Sequence, residues 1–219
     1  MTGALILGVD TSTFWLNLAL VGRDGRPLAE HHEKVKTHAT HLVPALEELM
    51  RAAGADRSDL AGLGVVVGPG SFTGLRVGLA SAEGLCQALG IPAHGMDSLT
   101  ALAHCSRGEG EGVALLDARR SQVYAARFLR RGGGVTRLGG IRCAPPGQAL
   151  AEAAAPSWAI GDGVPLVSGW PEECVLDAQV PNLAKPAALF ALERRTLGAS
   201  GERLEPLYVR PPDVRRSET

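Results

Sequence analysis

Two short segments of the 219-residue chain carry residue types suited to holding a phosphate group. The first is Asp10-Thr11-Ser12-Thr13, which follows the apolar run at residues 4–9. A carboxylate at the end of a strand holds a magnesium ion or a water, and hydroxyls and backbone N–H groups in the next turn bind phosphate oxygens. Aspartate, serine and threonine are also ordinary turn residues, so a purely structural role fits this segment equally well.

The second segment is the glycine-rich stretch at residues 68–80, GPGSFTGLRVGLA. A glycine turn between a buried strand and a helix N-terminus favours an anion, because free N–H groups and the helix dipole both point at it. The P-loop pattern fails because Leu75-Arg76 follows Gly74, and the dinucleotide pattern fails because Thr73 stands where a glycine is required. Packing and turn geometry also explain the glycines. The candidate phosphate-binding residues of the two segments are Asp10, Thr11, Ser12, Gly68 and Gly70.

Other reactive side chains do not form a catalytic or metal-binding set in the sequence. His38 and His41 share a helical face but have no third ligand nearby, and His94 and His104 are ten residues apart. Ser71 directly follows a glycine where a nucleophile elbow needs a spacer residue. We therefore expect neither a catalytic residue nor a bound metal. Wide spacing predicts that all four cysteines are reduced, namely Cys86, Cys105, Cys143 and Cys174.

Hydrophobic patterning predicts a first lobe of three strands followed by alternating helices and strands. Apolar residues at helical spacing mark a helix at 39–53, and Ser71 or Thr73 begins a second helix that ends at Gly90. The other expected elements are strands at 4–9, 15–21, 27–33, 63–67 and 91–94 and a helix at 98–105.

A glycine- and charge-rich stretch at residues 107–112 predicts a boundary between two lobes, at 1–106 and 107–219. Beyond it, Val113–Asp117 repeats the opening apolar run and places Asp117 over Asp10, which indicates an internal duplication. A second strand at 121–129 follows the repeated turn. Less regular segments predict a helix at 147–155, a strand ending at 161–163, and a last helix at 186–197 that can pack back on the first lobe.

Composition indicates a globular protein without a membrane span. Apolar residues make up 45% of the chain and charged residues 21%, and the net charge is −1. No apolar run is long enough to span a bilayer, and no secretory leader is recognisable, so we expect a cytoplasmic protein. Arginines enrich the second lobe, where they contact RNA phosphates or simply form a solvated strand face; they are Arg119, Arg120, Arg127, Arg130, Arg131, Arg137 and Arg142.

The glycine-rich segment GPGSFTGLRVGLA after an apolar strand, together with VDTST at residues 9–13, resembles the TsaB (YeaZ) family. Five shorter segments extend the resemblance in order along the chain: HLVP at 41–44, GIP at 90–92, LDAR at 116–119, VYA at 123–125 and EPLYVR at 205–210. The resemblance implies an α/β fold of the actin, sugar kinase and chaperone superfamily (ASKHA, ribonuclease H-like), with two duplicated mixed-sheet lobes.

The resemblance also implies a role in making threonylcarbamoyladenosine at position 37 of transfer RNA, with the catalytic subunit TsaD and the ATPase TsaE as partners. Active members of the superfamily clamp phosphate between two matching hairpins. Here the second turn, Asp117–Ser121, has no glycine and carries two arginines. We therefore expect a non-catalytic scaffold subunit without a cofactor, which meets transfer RNA only through the complex. A stand-alone ATPase or phosphotransferase, or a metallohydrolase, is the alternative.

The predicted docking surface is the helix pair at 39–53 and 72–89. The resemblance implies that the same surface pairs two copies of the chain, so that a homodimer competes with the heterodimer. The residues expected at this interface are Leu42, Leu46, Leu49, Met50, Gly74, Gly78 and Ala82.

Overall fold

The computed structural model describes residues 5–150 and 155–210 and contains two five-stranded sheets. The strands are β1 Leu5–Asp10, β2 Trp15–Val21, β3 Pro27–Lys34, β4 Leu60–Gly68, β5 Ala93–Asp97, β6 Gly110–Arg119, β7 Gln122–Arg131, β8 Gly134–Ala144, β9 Trp158–Ile160 and β10 Val175–Asp177. The helices are α1 His38–Ala52, α2 Phe72–Leu89, α3 Ser98–His104, α4 Pro146–Ala149 and α5 Ala184–Thr196.

The two sheets have the same topology, which confirms the internal duplication predicted from Asp10 and Asp117. The first sheet has the order β3-β2-β1-β4-β5, and the second has the order β8-β7-β6-β9-β10 when read in the corresponding direction. In each sheet the first three strands are antiparallel, and the last two lie parallel to the first. The predicted two-lobed α/β fold with duplicated mixed sheets is therefore confirmed.

The second lobe is a reduced copy of the first. In the first lobe, the 15-residue α1 and the 18-residue α2 connect β3 to β4 and β4 to β5. At the corresponding places the described part of the second lobe has the four-residue α4 and a three-residue 3₁₀ turn at Val164–Leu166. The expected helix at 147–155 therefore begins one residue early and ends at Ala149, and residues 151–154 lie outside the described part of the chain.

Helices α1 and α2 cover one face of the first sheet with the residues predicted to bind a partner. Six of the seven predicted interface residues are buried in the lobe's own core, and the seventh, Leu46, is half-buried against it. A β-carbon added to Gly78 would lie 2.2 Å from Thr11 Oγ1. The predicted stripe therefore packs on the sheet of its own lobe, and its role as a partner interface stays a prediction. Its residues are Leu42, Leu46, Leu49, Met50, Gly74, Gly78 and Ala82.

Helix α5 covers the opposite face of the first sheet at unusually short range. A β-carbon at Gly8 would lie 1.9 Å from the carbonyl oxygen of Ala184, and one at Gly64 would lie 1.9 Å from that of Ala187. The Asn182 side chain fixes the start of the helix by donating to the carbonyl oxygens of Leu18 and His31. Helix α5, which follows the second sheet in sequence, thus completes the core of the first lobe.

Helix α3 and the start of α5 join the two lobes through a shared apolar core. Val66 and Met96 of the first sheet pack in one cluster with Leu99 and Leu102 of α3 and with the inner face of the second sheet. After α5, residues 199–210 run back along the first lobe as a segment that we call the strap. Within it, Glu202 N–H donates to the Ala93 carbonyl at the edge of β5.

Most predicted elements of the first lobe are confirmed to within a few residues. Ser71 caps α2, since its hydroxyl accepts the Gly74 N–H at 3.2 Å, and Gly90 ends the helix at φ 66°. The predicted strand at 91–94 lies two to three residues later, because Ile91 and Pro92 still belong to the turn after α2. The strands β9 and β10 have three residues each, which is too few for a clear hydrophobic pattern in the sequence.

Within the described residues, no helix combines the length and the apolar character needed to cross a membrane.

Close approach at Gly64 gives a stability prediction. Gly64→Ala should lower the free energy of unfolding by about 3 kcal/mol, because the new methyl group meets a backbone carbonyl that cannot move aside. The matched control is Gly84→Ala in α2, where an added β-carbon meets no atom within 4 Å. That change should raise stability by about 0.5–1 kcal/mol through the backbone entropy of glycine. Chemical denaturation of both variants measures the two effects, and equal effects would contradict this packing.

His94 gives a second prediction, about pH. The residue is 1% exposed, and neither ring nitrogen has a hydrogen-bond partner among residues 5–150 and 155–210. Burial lowers the pKa of His94 below its ordinary value of 6.5. As the pH falls, the unfolded chain therefore protonates this histidine before the folded chain does. The contribution of neutral His94 to the free energy of unfolding is present in full above pH 6.5 and is lost as the pH falls below that value.

His94→Leu should remove part of this acid sensitivity. Urea denaturation between pH 7.5 and pH 5.5 should show a shallower loss of stability in the variant, by up to about 1.4 kcal/mol per pH unit. His41→Leu, at an exposed position of α1, is the control and should leave the slope unchanged. Parallel pH profiles for wild type and His94→Leu would disprove the assignment.

Candidate functional site

Asp10 ends β1 as predicted, but its carboxylate faces protein rather than an open site. The residue is fully buried. One oxygen accepts the Ser12 N–H at 2.8 Å, and the other accepts the Asn17 side-chain amide at 2.7 Å. Burial raises the pKa of Asp10, partly offset by these bonds. The carboxylate therefore accepts hydrogen bonds from within the chain. The sequence analysis did not identify Asn17 as one of its partners.

A polar chain continues from Asp10 towards the surface. Asn17 donates to Asp10, so its amide oxygen is left to face His32 Nδ1 at 2.5 Å. The His32 ring stacks on Trp15 with 4.2 Å between centroids, and burial lowers its pKa. Asn17 could have been found from its place on an inward strand position opposite His32.

The glycine turn of residues 68–71 lies beside this hairpin, and the hairpin backbone fills it. Ser71 N–H donates to the Ser12 carbonyl at 2.6 Å, and the Thr11 hydroxyl donates to the Gly74 carbonyl at 2.8 Å. A β-carbon at Gly70 would lie 2.0 Å from the Ser12 carbonyl oxygen. The structure thus brings the predicted phosphate-binding residues together, but an N–H group expected to meet phosphate already binds the chain itself.

The second hairpin repeats the geometry of the first. Asp117 accepts the Arg119 N–H at 2.7 Å, two residues on, as Asp10 accepts the Ser12 N–H. The turn closes without glycine, because Arg119, Arg120 and Ser121 all adopt positive φ values between 53° and 63°. Residues with a β-carbon pay about 1–2 kcal/mol each for this conformation. The turn therefore keeps the tight form of the first hairpin without a glycine, and the expected loss of the nucleotide site stays a prediction.

Two cavities lie between the hairpins. The inner one, of about 180 Å³, is lined by both hairpins and by Gly70 and Ser71. Pockets for small organic ligands are usually about 300–1,000 Å³, so this cavity is too small for a nucleoside triphosphate. The outer groove, of about 500 Å³, is lined in part by Trp15, His32 and Asp162. Burial raises the pKa of Asp162, whose carboxylate accepts the Asp117 N–H.

Metal-binding and nucleophilic groups are not assembled in the described residues. Across residues 5–150 and 155–210, no cluster of three or more histidine, cysteine, aspartate or glutamate side chains is placed to hold a metal ion. His41 is exposed and bonds the Thr37 carbonyl, whereas His94 is buried elsewhere. Burial raises the pKa of the Cys86 thiol to about 11 and that of Cys105 to about 12, so neither is an activated thiolate.

The outer face of α1 and α2 is the surface that these helices leave to solvent. Ala80, Gly84 and Ala88 are exposed along α2, and Val43 of α1 is 54% exposed. Gly84 stands in the middle of an 18-residue helix, and an added β-carbon would meet no atom of this chain. Glycine in such a position costs about 1 kcal/mol relative to alanine, and no contact within the described residues requires it.

Comparison with protein families places the chain among known sequences. The profile described as "TsaD: tRNA N6-adenosine threonylcarbamoyltransferase" matches residues 32–159. An uncharacterized protein of Mycobacterium tuberculosis is 34% identical, with 96% of this chain and 93% of that protein aligned. The protein named "tRNA threonylcarbamoyladenosine biosynthesis protein TsaB" in Bacillus subtilis is 35% identical over 58% of this chain.

Coverage of the relatives is uneven. The matched stretch spans 56% of the Bacillus subtilis protein and 62% of a Mycobacterium leprae protein that is 34% identical. Among solved structures, YeaZ from Pseudomonas aeruginosa superposes with a TM-score of 0.80 at 27% identity, covering 94% of this chain and 99% of that one. A dehydratase component from Acidaminococcus fermentans has a TM-score of 0.55 at 10% identity over 89% of this chain, a likeness of fold alone.

The filled glycine turn predicts that the chain alone does not bind nucleotide. Isothermal calorimetry with ATP and magnesium should show no binding, because Ser12 occupies the turn and the inner cavity is small. Purified chain should also release no phosphate from ATP. Turnover that Asp10→Ala abolishes would contradict this prediction and favour a stand-alone ATPase.

Proposed function

Because the chain belongs to the TsaB (YeaZ) family, we propose that it takes part in making threonylcarbamoyladenosine in transfer RNA as a non-catalytic subunit. The pathway comes from the names of the relatives, which are called biosynthesis proteins of this modified nucleoside. Its partners in this proposal are the catalytic subunit TsaD and the ATPase TsaE. The chain supports the reaction by shape and contact.

The filled phosphate site supports the non-catalytic part of the proposal. Catalysis by a two-lobed phosphotransferase needs free donors and a metal-binding carboxylate at the hairpins. Here Asp10 is bonded by Ser12 and Asn17, and the Ser71 N–H is bonded by the Ser12 carbonyl. The same bonds argue against a stand-alone ATPase and against a cofactor in the isolated chain.

Gly84 is the observation that carries the docking part of the proposal. An exposed glycine in mid-helix, with small neighbours Ala80 and Ala88, lets another helix approach the backbone closely. We place the partner on this outer face of α1 and α2, opposite the buried stripe of the same helices. A second copy of the chain competes for the same face, so the free protein forms a homodimer in this proposal.

Substitution on the outer face tests the docking proposal. Gly84→Arg should reduce capture of the catalytic subunit in a pull-down at least tenfold, because the long side chain keeps the two backbones apart. The melting temperature should stay close to that of wild type, since the position faces open space. Leu197→Arg, at a position 74% exposed after α5, adds the same charge elsewhere and should leave capture unchanged.

Reconstitution provides the functional readout. Threonylcarbamoyl transfer to transfer RNA by the catalytic subunit and TsaE should require this chain and should fall with Gly84→Arg. Gly84→Ala separates fold from function, because it should stabilise the chain and still weaken the complex. Full transfer without the chain, or normal capture by Gly84→Arg, would refute the proposal.

A further inference from the structure

A band of partly exposed aromatic residues and arginines runs from α2 across the strap to the two hairpin turns. It begins on α2, where the guanidinium of Arg76 lies over the Phe72 ring, with Cζ 3.9 Å from the ring centroid. The Phe72 ring in turn contacts Tyr208 of the strap, with 5.1 Å between centroids. The strap is held here by the Leu207 N–H, which donates to the Val67 carbonyl at 2.8 Å.

The band continues onto the second lobe two residues after Tyr208. Arg210 donates to the carbonyl oxygen of Arg119 at 3.4 Å. The guanidinium of Arg119 lies over the Phe14 ring at 4.7 Å, and Asp117 holds it there with an ion pair of 3.0 Å. The order along the band is Arg76, Phe72, Tyr208, Arg210, Arg119, Phe14.

The exposure and charge of this band set it apart from the rest of the surface. Phe14 is 50% exposed, Phe72 37% and Tyr208 38%, so much of each side chain faces water. Two arginines lie over these rings, Arg76 over Phe72 and Arg119 over Phe14, and Arg119 also forms an ion pair with Asp117. Exposed aromatic faces interleaved with arginine are the composition that binds unpaired nucleotides by stacking and phosphate contact.

We propose that this band binds a single-stranded stretch of RNA. Bases stack on Phe14, Phe72 and Tyr208, while the guanidinium groups of Arg76 and Arg119 meet the phosphates. The inference rests on the proposed function, which makes transfer RNA the substrate of the complex, and it adds a direct contact where only an indirect one was expected. An acidic protein loop would satisfy the charges but would leave the exposed ring faces without a role.

Fluorescence anisotropy on the full chain tests this contact. The probes are a labelled 12-nucleotide oligoadenylate and an RNA duplex of the same length, at 50 mM and 200 mM salt. The single strand should bind more tightly than the duplex, and its affinity should fall as salt rises.

Two variants and two controls locate the binding on the band. Phe14→Ala and Arg119→Gln should each weaken binding of the single strand about five- to tenfold, within the range known for loss of one stacked base. Leu197→Ala and Arg26→Gln remove an exposed apolar side chain and an exposed arginine elsewhere, and should change affinity less than twofold. Circular dichroism and thermal melting verify that each variant is folded.

Several outcomes would overturn the proposal. One is that the oligoadenylate does not bind up to about 1 mM, which is weaker than non-specific nucleic-acid binding. Another is that the duplex binds with the same affinity as the single strand. A third is that the Phe14→Ala and Arg119→Gln variants bind like their controls. Competition by a 12-residue polyglutamate peptide with the same dependence on Phe14 would assign the band to an acidic protein instead.

The docking proposal is tested separately on the same proteins. Phe14→Ala should still capture the catalytic subunit, and Gly84→Arg should still bind oligoadenylate. A variant that loses capture of the catalytic subunit but still binds RNA bears only on the docking proposal. A variant that loses RNA binding but is still captured bears only on the proposed RNA contact.

Discussion

The close approach of α5 to the first sheet is the constraint on which the rest of the structure depends. Carbonyl oxygens of Ala184 and Ala187 occupy the space that side chains at Gly8 and Gly64 would need. This contact buries the second face of the first sheet and places Leu183 and Ala187 in the core shared with the second lobe. The strap then runs from β5 to the second hairpin turn, with hydrogen bonds to the carbonyl oxygens of Ala93, Val67 and Arg119.

Bonds within the chain occupy the glycine turn that the sequence offered as a phosphate site. The Ser12 carbonyl accepts the Ser71 N–H and the Thr11 hydroxyl donates to the Gly74 carbonyl, so the two segments are joined directly. The two surfaces that we propose for binding lie outside this turn, at the helix face around Gly84 and at the aromatic and arginine band. Both surfaces consist of groups that the core does not use.

Periodicity and turn chemistry in the sequence were enough to predict the strands and helices of the first lobe, the duplication and a cap of α2 at Ser71 or Thr73, of which the structure uses Ser71. They did not decide which face of a helix meets the sheet. Leu42, Leu49 and Gly78 fit a partner surface and a core equally well in sequence, and only the positions of Thr11 and the sheet decide between them. Contacts across long separations, such as Arg210 with Arg119, leave no local pattern.

The position of α5 in the chain has a consequence for synthesis on the ribosome. Gly8 and Gly64 are made early, whereas the helix that shields them begins at residue 184. During translation the nascent first lobe therefore presents one bare sheet face until α5 has left the exit tunnel. Contacts of such long sequence separation form slowly, and an apolar sheet face that stays exposed during folding favours aggregation.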